Sequence, residues 1–502
     1  MNQSKTAQTL WGLFLLIGIA FLATLYYSAW NFTTDDAYIT LRYSHHLFEG
    51  FGITWNIASP PVEGYSNFLY MLLGSVAEWI GLTPITVLKT TGMISLIATD
   101  VLLYHLSRRW MPPILSLFVP FTFSLYLGTI WWTVSGMETS FFVLLVTSIT
   151  VLLCRAVDRP PRNITAFCIG LLLALAGLTR PEGPILWISS NVGLWWAVRH
   201  ERKTWREFFI ILNLSFLFPY GVYFLWRWWY FSRLLPNPVY CKAFDHQSPF
   251  VLVTEYLSLA LPFMITALGF RDKRHVWLWL PSLYYLIIIC GANPIIGYLT
   301  RHFLAAYALI LVIGFSGAYQ IMNRYLKTLQ ESLKQTVIFT IFLILIGLFV
   351  PRFSAERIQR SANECQKRSE LRLRIADYLN QHTNPHDWVA MPDCGVIPYY
   401  SHANIIDTLC LNSREMTSPP INFSLDRFTT WLLNEAKPKF IVISTFSPMK
   451  QEDVLGDTIH HDPKLQQIFS AEYKSVHSDE TRLNPPDYRY EVYERLNRQS
   501  PQ

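Results

Sequence analysis

Charge is what this chain has least of. Asp, Glu, Lys and Arg make up 15% of its 502 residues, against roughly 25% in an ordinary soluble domain. With 51% hydrophobic and 15% aromatic residues, that shortage excludes a simple water-soluble globule and makes lipid the main solvent. Internal repeats and low-complexity segments are absent, which excludes solenoids and disordered linkers as the main architecture. The seven cysteines contain no CxxC, so neither a redox motif nor a metal-ligand spacing is present and packing thiols are expected. Cys365, Cys394 and Cys410 fall near the C-terminal end and leave room for one disulfide there. No small-residue cleavage site follows the first apolar run, TLWGLFLLIGIAFLATLYYSAW, so it reads as a retained signal anchor. The net charge of +6 is spread over short loops without a basic stripe, which argues against a nucleic-acid partner.

What is present is a series of windows near the 20 residues a helix needs to cross a bilayer. They lie at 9–29, 66–82, 86–107, 112–131, 139–156, 163–179, 184–199, 207–230, 250–270, 276–291, 302–320 and 335–351. The basic loops SRRW, CRAVDRPPR, RHERKTWR, RDKRH and NRYLKTLQESLK all fall on one side. They are cytoplasmic by the positive-inside rule only if one early window does not cross. SNFLYMLLGSVAEWIGL (66–82) is the weakest and contains Glu78, a costly group against lipid, so it is expected to lie along the outer surface. The expectation is a polytopic α-helical membrane protein with about eleven transmembrane helices and interfacial helices in a first outer loop, 30–85. The N-terminus is cytoplasmic. Residues 352–502 form an extracytoplasmic soluble α/β domain, with a charged helix AERIQRSANECQKRSELRLRIADYLNQH, strands WVAMP, NIIDTL, KFIVIST and YRYEVYE, and a helix RFTTWLLNEA.

This arrangement gathers the unusual polar residues on the outer face. Asp35 and Asp36 open DDAYITLRYSHHLFEGFG, expected to be an amphipathic helix lying in the interface, with Tyr38, Leu41 and His45 on one side. Thr33, Thr34 and the acids suit an N-cap. One acid suffices for a cap, however, and the second asks for another role. PVEGYSNFLY adds Glu63, Tyr65 and Asn67, SGMETS adds Glu138, and LTRPEGP adds Arg180 and Glu182. SRLLPNPVYCKAFDH brings Arg233, Asn237, Tyr240, Lys242 and His246 after the aromatic belt WRWWYF, and YLTRHF brings Arg301 and His302. Carboxylates and cations at a lipid–water boundary suit a substrate with a phosphate head and a lipid tail. Transfer of a sugar from such a carrier needs a carboxylate to take the acceptor's proton and positive charge where the phosphate departs.

DDAYITLRYSHHLFEGFGITWN, VEGYSNFLY, GMETSFF, LTRPEG and RHFLAAY together resemble the GT-C superfamily of membrane glycosyltransferases. The tail stretch MPDCGVIPYYSHANIIDTLCLNS looks like that of the terminal arabinofuranosyltransferases and related bacterial proteins. The resemblance implies a transmembrane catalytic domain, 1–351, in the bacterial inner membrane and a polyprenyl-phosphate sugar donor. It also implies a glycan or glycolipid acceptor and a C-terminal domain that binds carbohydrate. Asp35 is the first choice as catalytic residue and Asp36 the second. Tyr38, Arg42, Glu63, Tyr65, Asn67, Glu138, Arg180, Glu182, Arg233, Lys242, Arg301 and His302 are candidates for donor and substrate binding. Two adjacent acids lack the fuller oxygen set of a divalent-cation site, so no metal and no cofactor is expected. A ligase or polymerase acting on lipid-linked glycans is the alternative, as is a lipid-linked saccharide transporter, for which Asp100 is the main mid-membrane candidate.

Overall fold

A computed structural model describes residues 2–57, 59–243, 250–281, 299–349, 354–446 and 451–496. The chain forms two compact units that are not sequential. One contains residues 1–30, 89–225 and 246–360, and the other contains 31–88, 226–245 and 361–502.

The first unit is helical because its sequence is a succession of apolar windows. Among the described residues, five helices are long and apolar enough to cross a bilayer: Pro84–Ser107, Thr139–Asp158, Lys203–Phe231, Arg301–Tyr325 and Glu331–Leu348. The helices Pro113–Leu125 and Leu127–Val134 make a sixth if taken as one span bent by 62°. Asn2–Ala29, Asn163–Thr179, Gly183–Val198 and Phe250–Ala267 occupy four further apolar windows. Most of the window 276–291 lies outside the described residues. Arg301–Tyr325 is the inner helix, with 83% of its apolar stretch buried, while Glu331–Leu348 has 17%. Small residues let the inner helix approach Phe250–Ala267 closely. A β-carbon on Gly317 would fall 2.2 Å from the Thr266 carbonyl, and one on Gly314 would meet Phe263 at 2.7 Å, the close backbone packing that lipid-embedded helices favour.

The second unit is built on a six-stranded sheet. Strands β1 (Trp388–Met391), β2 (Asn404–Asp407), β3 (Phe440–Phe446), β5 (Tyr473–Glu480) and β6 (Tyr488–Arg495) are ordered β2-β1-β3-β6-β5, and β4 (Gln451–Glu452) pairs with β3. The β2-β1-β3 portion is parallel, and β6 and β5 are antiparallel. β1, β2, β3 and β6 are the four strands expected from sequence. β5 reads YKSVHSDE and lacks the apolar alternation that identifies a strand, because it is an edge. The charged helix spans Ala355–His382 as expected. Its Leu371, Ile375 and Leu379 pack with Val389, Val442 and Tyr490 of the sheet and with Ile39, Tyr43, Trp55, Tyr65 and Met71 of the first outer loop. That loop is therefore part of the tail's core. The sheet's other face is covered by Phe428, Leu432, Ile459 and Phe469 from the remaining helices.

Two local expectations need correction, on the first outer helix and on the disulfide. The helix Asp36–Phe48 does not lie amphipathically at a surface: Ala37, Ile39, Thr40, Leu41, Arg42, Tyr43, Ser44 and His46 are all buried, because it packs on its neighbour through Gly74, whose β-carbon would strike Leu41 and Ser44. That neighbour, Phe68–Trp79, has 12 residues, about 18 Å of helix and too short for a roughly 30 Å hydrocarbon core. Its Glu78 pairs with His45 Nδ1 at 2.9 Å and accepts from the Tyr399 hydroxyl at 3.3 Å. Finally, Cys410 bonds with Cys241, 169 residues away in sequence, while Cys365 and Cys394 stay free. The disulfide therefore ties the 226–245 segment to the tail and does not close within the tail.

Candidate functional site

Each unit carries a buried group of charges that includes residues expected from sequence. In the helical unit, five of the expected residues meet. Glu138 follows the tight turn at Gly136 (φ +83°) and immediately precedes the helix Thr139–Asp158. Its Oε1 accepts from Arg180 Nη1 at 3.0 Å and Arg301 Nη2 at 3.1 Å. Arg180 also holds Glu182 with two hydrogen bonds, at 3.2 and 2.8 Å, and donates to His302 Nδ1 at 2.8 Å. As an acceptor at Nδ1, His302 is neutral with its proton on Nε2. Arg301 sits 4.8 Å above the Trp132 ring and bonds Thr139. Burial alone would raise the Glu182 carboxyl, but the Arg180 guanidinium overrides it and holds it below the usual range. The Asp100 carboxylate of the same unit accepts from Ser124 at 2.6 Å.

In the other unit the acid pair begins the helix Asp36–Phe48, yet neither acid caps it through its side chain. The Asp35 carboxylate turns to the tail instead. Its Oδ1 accepts from the Val396 N–H at 3.0 Å and lies 3.3 Å from Arg372 Nε. Arg372 also reaches Asp393 Oδ2 at 3.1 Å. Asp393, just beyond the carboxyl end of β1, accepts from Tyr488 at 2.8 Å and from Tyr490. Gly395 is required here, since a β-carbon would fall 2.1 Å from the Asp35 carbonyl and 2.4 Å from its carboxyl. Burial is the main cause that lifts Asp35 to about 6. Asp393 and Asp36 add to it, while Arg372 and the Val396 N–H oppose. Oδ2 of Asp35 makes no hydrogen bond among the described residues, and the Asp36 carboxylate has neither hydrogen bond nor ion pair there.

The other expected residues of this unit hold its framework. Arg42 is 5% exposed and donates to the carbonyls of Trp55, Ala403 and Pro398, with burial lowering it to about 10. It is a staple between loop and sheet, with its donors already engaged. Glu63 is fully engaged by Arg227, which donates from Nε at 3.1 and 3.2 Å and again from Nη2. Asn67 accepts from Thr40 at 2.9 Å, and Tyr65 packs edge-on to Tyr43. Arg233 bonds Asn237, Thr417 and Ser418. Tyr38, beside the acids, faces Tyr399 and Tyr400 at 5.4 and 5.9 Å. The side chain of Lys242, and His246 altogether, lie outside the described residues.

Sequence reasoning missed Arg372, Asp393, Tyr488, Tyr490 and Arg227. A signal existed for the first two. Arg372 borders the apolar stripe Leu371–Ile375–Leu379, and Asp393 follows a strand in a turn, where open parallel sheets place ligand groups. Among the described residues, no group of three or more His, Cys, Asp or Glu is placed to hold a metal ion.

A family model described as a domain of unknown function (DUF8728) matches residues 359–493. No curated protein matches the chain. Solved structures do. ArnT from Cupriavidus metallidurans bound to undecaprenyl phosphate aligns over 98% of this chain and 99% of its own, with TM-score 0.58 and 13% identity. The oligosaccharyltransferase AglB from Archaeoglobus fulgidus, in complex with an inhibitory peptide and a dolichol-phosphate, aligns over 87% and 74%, with TM-score 0.53 and 12% identity. The mycobacterial arabinofuranosyltransferase AftD aligns over 96% of this chain but 41% of its own, with TM-score 0.54 and 14% identity. The fold is that of the GT-C glycosyltransferases. With that fold, the chain is a polytopic helical membrane protein with a C-terminal α/β domain, and identities this low carry the fold alone.

Proposed function

We propose that this protein transfers a sugar from a polyprenyl-phosphate donor to a hydroxyl of a cell-envelope glycan or glycolipid, on the outer face of the bacterial cytoplasmic membrane. The observation that carries this reading is Asp35. One of its oxygens is fixed by Arg372 and Val396, the other is open, and its pKa lies near 6, the arrangement a general base needs to work near neutral pH. In the reaction, Oδ2 of Asp35 takes the acceptor hydroxyl proton as that oxygen bonds to the anomeric carbon. The bond from that carbon to the phosphate oxygen breaks, and polyprenyl phosphate leaves with the electron pair. Asp36, without a protein partner, orients the acceptor hydroxyl. No metal or cofactor takes part in the reaction as written.

Two neighbours, ArnT and AglB, were solved with polyprenyl-type phosphates, which supports the donor class. The Cys241–Cys410 disulfide supports an extracytoplasmic setting for its unit, since such bonds persist in oxidising compartments. A ligase or polymerase would use the same acids on a longer donor. The transport reading loses weight because Asp100 is bonded to Ser124. Mass spectrometry of the lipid that copurifies with the protein tests the donor: a polyprenyl phosphate is expected, and a lipid without phosphate contradicts the mechanism.

A further inference from the structure

The Cys241–Cys410 disulfide forms part of the wall of a cavity of about 290 Å³ in the unit that carries the sheet. The two cysteines share that wall with Thr408, Leu409, Leu425 and Val454. Cys410 is buried and Cys241 half-buried, while Leu409, Leu425 and Val454 are 43%, 38% and 42% exposed. No lining residue carries a charge. Thr408 Oγ1 is buried and has no hydrogen-bond partner among the described residues. The bond therefore borders an open apolar hollow with one unused polar group. The loop that leads away from it is constrained as well. Cys410, Asn422 and Phe423 have φ of +78°, +46° and +63°, the left-handed region that a side chain as bulky as Phe adopts only when its surroundings impose it.

The bond can open without releasing what it joins. Asn237 donates from Nδ2 to the carbonyls of Cys410, Leu411 and Ser413 at 2.8, 3.2 and 3.2 Å, and to Cys241 Sγ at 3.8 Å. Arg233 bonds Thr417 and Ser418 of the same loop. These contacts keep the two sulfurs near each other after the covalent link is cut, as a reversible exchange requires. The hollow also selects its reagent. A small charged thiol such as glutathione finds no counter-charge there. A protein with apolar surface around a Cys-X-X-Cys dithiol would cover the three exposed side chains, offer a partner to Thr408 and bring a reactive thiolate. We propose that this hollow is the docking surface of a thiol–disulfide oxidoreductase, which exchanges Cys241–Cys410 in the folded protein. The partner's thiolate bonds to Sγ of Cys241, the less buried of the two residues, the Cys241–Cys410 bond breaks, and Cys410 leaves as a thiolate. The partner's second thiol, losing its proton, then displaces Cys241. Two electrons and two protons pass to this chain, and the partner ends as a disulfide. The inference is independent of which group the protein transfers.

The test uses the oxidised full-length protein in lipid nanodiscs, with the free cysteines Cys154, Cys168, Cys365 and Cys394 replaced by serine. Reduced thioredoxin, dithiothreitol and glutathione are added in turn, and alkylation of Cys241 and Cys410 without denaturant is followed by peptide mass spectrometry. Thioredoxin is expected to reduce the bond with a second-order rate constant at least about tenfold above that of dithiothreitol, with glutathione slowest. Leu409→Glu and Val454→Glu, both at exposed positions, should slow the thioredoxin reaction about tenfold by placing a charge under the docked protein. The dithiothreitol rate and the melting temperature of these variants should match those of the parent, which separates lost docking from lost folding. A thioredoxin whose second cysteine is replaced by serine should be trapped as a mixed disulfide on Cys241. The proposal is overturned if thioredoxin reacts no faster than dithiothreitol, if the two Glu variants react with thioredoxin as the parent does, or if thiols appear only in denaturant.

Discussion

In the helical unit one carboxylate, Glu138, is held between two guanidiniums. In the other unit one guanidinium, Arg372, lies between two carboxylates. The first cluster balances Glu138 and Glu182 against Arg180 and Arg301, and each of the four is at most 15% exposed at its side chain. The second sets Asp35, Asp36 and Asp393 against Arg372 alone. Balance gives a locked network in which each charge is compensated by its neighbours. An excess of acid leaves one carboxylate, Asp35, easier to protonate than usual and another, Asp36, without a protein partner. The contrast separates a group of charges that holds shape from one that can exchange a proton.

The largest effect that separates them is catalytic. Asp35→Asn should reduce sugar transfer by about 10²–10⁴-fold, as read from initial rates. Its melting temperature at pH 8 should not fall. The raised folded-state pKa means that ionisation of Asp35 opposes folding: the stability it contributes is complete below its ordinary pKa and is lost as pH rises through about 6. A neutral isostere removes that cost. Glu138→Ala should behave in the opposite way, since it strands two buried guanidiniums. A stability loss of about 3–5 kcal/mol is expected, visible as a lower melting temperature at every pH.

Next in size is the disulfide. Cys410→Ser, or reductant on the native protein, should cost about 2–4 kcal/mol given the long loop that Cys241–Cys410 closes. Thermal unfolding with and without reductant checks it, and Cys410→Ser should show no further response to reductant. Smallest is a shift in pH dependence. The rate should rise with pH through an apparent pKa near 6, as Asp35 loses its proton. Arg372 lowers that pKa and Asp393 raises it, so Arg372→Gln should move the acid limb of kcat/KM to higher pH and Asp393→Asn to lower pH. Shifts in the same direction would show that the limb does not belong to Asp35.

Much of this comparison was legible in the sequence. Glu138, Arg180, Glu182, Arg301 and His302 were identified one by one because each breaks an apolar pattern at the end of a membrane helix, and the structure brings them together. The same reasoning found the acid pair but misread its company. Arg42 and Glu63 stood out as charges in an apolar neighbourhood, which reads alike whether the partner is a substrate or another part of the chain, here backbone carbonyls for Arg42 and the Arg227 guanidinium for Glu63. Arg372 and Asp393 lie more than 330 residues from Asp35 in sequence, and no local period reports a contact of that range. The edge strand β5 escaped for the opposite reason, since water on one side erases the alternation on which strand recognition depends.

The central claim is that Asp35 is the general base for transfer from a lipid phosphate. The direct measurement is transfer by the purified protein in nanodiscs from polyprenyl-phosphate sugars, hexose and pentose, with release of polyprenyl phosphate as the readout. Wild type, Asp35→Asn, Asp36→Asn and the double variant are compared at pH 7.5. The account predicts release by the wild type, a loss of at least about 100-fold in Asp35→Asn, and intact insertion and melting behaviour in all variants. Full activity in Asp35→Asn would contradict it.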